Sequence, residues 1–301
     1  MNKDQIKILD VKIDVISKKR VLDKIKDLLL SQTQAQLVTT NPEFIIAAQK
    51  DEGFKKIINN SWLSVADGYG IRLAAKYLDV VGTRHCSVQY GKTIGLTDRT
   101  RHCRVPTWKK IIIGIKVAWW GITHNNKKLD VITNVITGTD LVPEICHLLS
   151  AIPAKAGISW KIFLIGGYGN VPKLTAEKLM RNYHVETRHG ASLKINYSAF
   201  EENEIIDKIN KEKPQILFVA LNHPRAQKWI DENLEKMPSV KLAIGVGGAF
   251  DYISGKIKRA PRCWRSLGLE WLYRLLRQPK RLKRIFTATV VFPIRVFRSK
   301  L

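Results

Sequence analysis

Three features of this 301-residue chain predict an α/β fold, a Rossmann-like parallel sheet with helices on both faces. Short apolar runs end in tight polar or glycine turns, each run is followed by a helical pattern, and the unit recurs along most of the length. A basic C-terminal helical appendage completes the expected architecture.

The elements come in order along the chain. Gln36 to Thr40 predicts a strand closing at Asn41-Pro42, with Pro42 suited to open a helix through Ile45, Ile46 and Ala48. Ser64-Val65-Ala66 is a short strand ending at Asp67-Gly68, and Ile71, Leu73, Ala74, Ala75 and Leu78 form the apolar side of the next helix. Lys161 to Ile165 is a buried strand before Gly166-Gly167, followed by a helix from about Val171 to Tyr183. Ile216–Leu221 and Leu242–Val246 repeat the scheme. Residues 82–129 break it: they lack sustained periodicity, hold Thr-Arg-His-Cys twice, and are expected to be an insertion whose deletion leaves a folded chain. The divisions are therefore 1–81 with 130–255 as the core, 82–129 as the insertion and 256–301 as the appendage.

The 51 Lys/Arg against 26 Asp/Glu give a net charge of +25, which suits phosphorylated substrates, nucleic acid or an anionic bilayer. The excess is local. Residues 256–301 hold 14 Lys/Arg against Glu270 alone, and residues 82–129 hold 10 against Asp98 alone. Neither segment has a nucleic-acid recognition motif or interleaved aromatic platforms, so nucleic acid is not an expected partner. The tail mixes its charge with Trp271, Leu272, Leu275, Leu276, Ile285, Phe286, Val290, Val291 and Phe292, which suits a helix lying on anionic lipid. Truncation after Lys258 is expected to remove that docking and leave a folded core. No apolar run reaches the length of a spanning helix. Four cysteines without a disulfide framework and no signal peptide point to a cytoplasmic protein, peripheral at the inner face of the membrane.

In parallel sheets ligands bind at the carboxyl ends of the strands. The polar residues expected there are Thr39, Asn41, Asp67, Gly166, Gly167, Asn222 and Asp251. Asn41 and Asp67 also suit plain helix caps. Gly166-Gly167 could cradle phosphate, but the full dinucleotide spacing is missing and nicotinamide chemistry is unsupported. The paired His-Cys steps lack zinc-type spacing, so neither metal nor cofactor is expected. Arg274, Arg277 and Arg281 recur about one helical turn apart.

Thr39-Thr40-Asn41-Pro42-Glu43, Ala66-Asp67-Gly68, Thr137-Gly138-Thr139-Asp140-Leu141, Phe163 to Gly167, Gly247 to Asp251, Arg259-Ala260-Pro261 and Gly268 to Arg281 occur in this order. With these motifs the chain resembles the WecG/TagA/CpsF glycosyltransferases, glycosyltransferase family 26, over about residues 5–81 and 132–290. The resemblance implies inverting transfer of N-acetylmannosamine or a related sugar from a UDP-sugar onto undecaprenyl-diphosphate-linked GlcNAc, a lipid-diphosphate acceptor. It implies Asp67 as general base, supported by Thr39 and Asn41. It also implies a C-terminal appendage that closes over the site and supplies arginines. The substrate-binding set is then Gly166, Gly167, Gly248, Asp251, Arg259, Arg274, Arg277 and Arg281. No Asp-x-Asp metal motif occurs, and arginine is the remaining fork for a diphosphate. Val135 and Ala226 stand where members often carry Arg and Gln. The alternative is therefore a member that binds UDP-sugar or membrane without turnover. The sequence leaves homo-oligomerisation open.

Overall fold

The computed structural model describes residues 5–87, 107–122, 131–132, 134–152, 160–189, 199–261, 264 and 270–299. Its strands are β1 (Gln5–Ile8), β2 (Val11–Asp14), β3 (Ala35–Thr40), β4 (Leu63–Ala66), β5 (Lys161–Gly166), β6 (Glu186–His189), β7 (Ile216–Ala220) and β8 (Leu242–Gly245). They form one sheet in the order β1-β2-β4-β3-β8-β7-β5-β6. β1 pairs antiparallel with β2, and every other pairing is parallel. The Rossmann-like α/β architecture is thus present. The continuous apolar character of the central strands has its cause here, since helices cover both faces of the parallel part.

The helices are α1 (Lys18–Leu30), α2 (Pro42–Ala48), α3 (Glu52–Asn60), α4 (Tyr69–Ser87), α5 (Thr107–Ile122), α6 (Gly138–Ala151), α7 (Val171–Tyr183), α8 (Ala199–Glu212), α9 (Arg225–Asn233) and α10 (Ala249–Ile253), followed by α11 (Glu270–Arg277), α12 (Leu282–Phe286) and α13 (Phe292–Arg298). Their starts follow local chemistry. Asn41 caps α2 by accepting from Phe44 N–H at 3.1 Å, and Pro42 opens the helix. Asp51 does the same for α3, accepting from Phe54 N–H at 2.9 Å.

Alternate residues of one strand feed opposite layers. Leu37 packs with α1, α6, α7 and α10 through Val21, Leu141, Val171 and Phe250. Val38 packs on the other face with α2, α3 and α4 through Ile45, Phe54 and Ile71. The helices that leave neighbouring strands β3 and β8, α2 and α10, therefore depart to opposite faces, which opens a crevice at their carboxyl ends. Buried Cys146 belongs to the first layer, where desolvation pushes its thiol up to about 12 and leaves it a packing residue.

Two expectations change. The segment 82–129 is not a plain surface insertion: α4 runs on through Ser87, and α5 buries Ile113 and Val117 against a cluster holding Tyr77 and Val81. Its removal would take Ile113 and Val117 out of that cluster. Among the described side chains of α5, Ile113 and Val117 turn inward, too short a pattern to set a sustained period in the sequence. The second His-Cys step, His102-Cys103, and the remainder of 88–106 and 123–130 lie outside the described residues.

The tail is also more than an appendage. Phe292 is 1% exposed and Val296 3%, both in the cluster beneath α2 and α4. An uninterrupted helical path runs from Leu282 to Arg298, widened to a π-type turn over Thr287–Val291. Pro293, which lacks an N–H to continue the ladder, accounts for that widening.

Candidate functional site

The parallel strands end on one rim. β3 delivers Asn41, β4 delivers Asp67, β7 delivers Asn222 and His223, and β8 delivers the turn Val246-Gly247-Gly248. Asp67 is half-buried, and its N–H donates to Thr40 O at 2.8 Å, extending the β3–β4 pairing by one step. Gly68 takes φ +102° immediately after it, a turn that favours glycine and lets α4 start at Tyr69. Thr39 is buried at 4% exposure, and Thr40 shares a hydrogen bond with Ser64 at 2.8 Å. These contacts hold the strand end that carries Asp67. Asn41, bound to Phe44 N–H, acts here as a cap.

The C-terminal segment lies across this rim. A side-chain carbon built on Gly248 would stand 3.7 Å from Asp251 Oδ2 and 3.8 Å from a terminal Arg281 nitrogen, which places Arg281 over the β8 turn. Burial lowers the Arg281 pKa, and Arg274 and Arg284 nearby lower it further against the opposing pull of Tyr252 and Asp251. Arg274 donates to the Tyr252 hydroxyl and stacks 4.8 Å from that ring's centre. Arg284 donates to Glu43 Oε2 at 2.7 Å. Asp67 and Gly248 follow β4 and β8, the two neighbours of β3, so the strand ends stand about 10 Å apart, two strand spacings.

The predicted arginines divide. Arg274 and Arg281 turn inward, whereas Arg277 is exposed and lies 5.5 Å over Tyr273. The helical register implied by their spacing does not carry through, because α11 ends at Arg277 and the 3₁₀ turn Pro279–Arg281 re-aims the chain beyond it. Arg259 is held in a fork by Asp140, with its second nitrogen 3.0 Å from Asp140 Oδ2. Thr137 orients that carboxylate, its hydroxyl donating to Oδ2 at 2.8 Å. The Thr137-to-Asp140 motif therefore anchors the start of the tail. Gly166 has a packing reason of its own: at φ +86° a side-chain carbon would meet Ala220 O at 2.6 Å. Gly167, at φ +89°, follows it on the same rim. Ala226, 1% exposed, packs against Gly245.

Sequence reasoning missed the group Glu43, His223 and Arg284. Glu43 Oε2 meets Arg284 and stands 3.6 Å from His223 Nε2, and the His223 ring lies 4.9 Å from Phe44. The strand-end rule applied to Asn222 would have reached His223, one residue on. Burial is the largest influence on His223 and lowers its pKa, Glu43 opposes this, and Arg284 adds to it. The folded state therefore favours neutral His223. Its stabilising contribution is complete above the unfolded pKa near 6.5 and is lost as pH falls below it. Thermal midpoints measured between pH 7.5 and 5 should decline, and His223→Gln should flatten that decline. An equally steep decline in the variant would assign it to other groups.

Among the described residues no helix is long and apolar enough to cross a membrane. Residues 6–90 and 111–301 match the model of the glycosyl transferase WecG/TagA/CpsF family, leaving only 91–110 outside the match beyond the first five residues, a shorter interruption than the 82–129 read from the sequence. A match of this extent makes the chain a member of the WecG/TagA/CpsF family of glycosyltransferases.

Proposed function

We propose that the chain transfers N-acetylmannosamine or a related sugar from a UDP-sugar to an undecaprenyl-diphosphate-linked GlcNAc acceptor, with inversion, at the inner face of the membrane. The observation that carries this reading is Arg281 over Gly248 in the β8 turn, with Arg274 on Tyr252 and Arg284 on Glu43 near enough to lower its pKa. With Arg284 already met by Glu43, Arg274 and Arg281 together favour a polyanion beside them, and a nucleotide diphosphate has the matching charge and fork geometry.

In this mechanism Asp67 accepts the acceptor hydroxyl proton as that oxygen bonds to the sugar's anomeric carbon. The bond from that carbon to the diphosphate breaks on the opposite side, and its electrons leave with UDP. Arg281, assisted by Arg274, stabilises the charge that develops there. Thr39 and Asn41 keep the β3 end in place beside Asp67. Gly167, Gly248 and Asp251 border the donor, and Arg259, through Asp140, fixes the start of the covering segment. Arg277, at the surface, serves lipid headgroups. The tail's remaining basic residues draw the protein to anionic lipid, each adding about 1 kcal/mol near the surface.

The test is UDP release from a panel of UDP-sugars with a water-soluble lipid-diphosphate-GlcNAc analogue. Release that depends on the acceptor is the expected result. Binding of UDP-sugar with no release under any pairing would favour a member that has lost turnover.

A further inference from the structure

We propose that α5 is a second membrane-contacting element, which seats an isoleucine face in an anionic bilayer alongside the C-terminal helix. The proposal rests on the reading that the tail docks on lipid, and adds a contact that reading does not contain.

The first observation is where exposed apolar surface collects. Of the twelve large hydrophobic side chains exposed among the described residues, three lie on α5 and six between Trp271 and Ile294. On α5 they are Ile111 at 47%, Ile112 at 43% and Ile115 at 65% exposure. A water-facing helix side has no folding reason to carry three isoleucines, whereas an interfacial helix needs such a stripe.

The second is the geometry of α5. At about 100° per residue, Ile111, Ile112 and Ile115 form one stripe, and buried Ile113 and Val117 form another about 170° away. One side of the helix is anchored in the protein and the opposite side faces outward. Exposed Lys116 borders the outer stripe on one side, about 100° from its centre, where its long stem can lie along the membrane and place the ammonium group among headgroups. The sequence sets Trp108 near one end of the helix and Trp119-Trp120 near the other, residues favoured at membrane–water boundaries.

The third is the connection to the tail. Ile113 and Val117 share a buried cluster with Phe292 and Val296 of α13, and Tyr77 of α4 lies 6.2 Å from Phe297. A bilayer contact through α5 is thus coupled through packed side chains to the segment that carries Arg281. Charge selects the occupant. A second copy of a +25 chain would set like charge against like, whereas an anionic bilayer offers both the apolar layer and the opposite charge.

The experiment is flotation of the full-length chain with phosphatidylcholine vesicles, with and without phosphatidylglycerol, comparing wild type, the triple variant Ile111→Ser/Ile112→Ser/Ile115→Ser and the tail variant Phe286→Ser/Ile294→Ser. The triple variant should bind anionic vesicles about tenfold or more weakly, given the apolar area withdrawn from the bilayer. It should keep its circular dichroism spectrum and its UDP release with the water-soluble acceptor. Wild-type flotation by the triple variant alongside a failing tail variant overturns this inference and leaves the tail reading standing. Absence of flotation by the wild type overturns both. If the triple variant instead changes only the oligomeric state in light scattering, the face belongs to a second copy and the inference is likewise overturned.

Discussion

Asp67→Asn should lower turnover by about a hundredfold or more, the usual contribution of a positioned general base. The change keeps shape and volume, and the backbone bond from residue 67 to Thr40 O is untouched. It removes the capacity to accept a proton as the acceptor oxygen attacks. The far-ultraviolet spectrum and thermal midpoint should therefore stay near wild type while UDP release collapses. Donor affinity should change little, because the proposed diphosphate site at the β8 turn lies across β3 from Asp67, two strand spacings or about 10 Å away. Turnover equal to wild type would remove Asp67 from the reaction.

Phe292→Ala should destabilise the fold by about 3–5 kcal/mol, the range for deleting a fully buried aromatic ring. Phe292 is 1% exposed, its ring within 4.0 Å of the position a side-chain carbon on Gly70 would occupy, next to Tyr69 and the Asp67 turn. Urea unfolding measures the loss directly. The same packing means that truncation after Lys258 opens the cluster holding Val38, Phe44 and Ile71, besides removing Arg281. A truncated chain should be markedly less stable, in contrast to the free-standing core expected from the sequence. If Phe292→Ala unfolded at the wild-type urea concentration, the tail would be a loosely attached arm after all.

The sheet was legible because the central strands are buried on both faces and so appear as unbroken apolar runs ending at Asn41, Asp67 and Gly166. The hairpin of β1 and β2 was not. Its turn sets Leu9 and Asp10 at φ +50° and +62°, where Asn-Gly would have announced it, and leucine gives no such signal. The strand-end place of Asp67 was legible by position, since that needs no tertiary information, while its role as base came from the family resemblance. The roles of the arginines were not, because partners 119 and 241 residues away decide them: Asp140 takes Arg259, and Glu43 takes Arg284. Phe292 was assigned to a lipid-facing mixture for a similar reason. Composition cannot tell an apolar side chain that faces the bilayer from a neighbour that faces the core.

The pairing of β3 with β8 joins Ala35 to Leu242. On a ribosome adding about 5–20 residues per second, the central edge of β3 waits roughly 10–40 s for its neighbour to be made. Through that interval Leu37 and Val38 belong to an open strand edge beside β4, a surface on which any other extended chain can pair. The early growth of this protein is thus a race between its own unfinished translation and foreign strands.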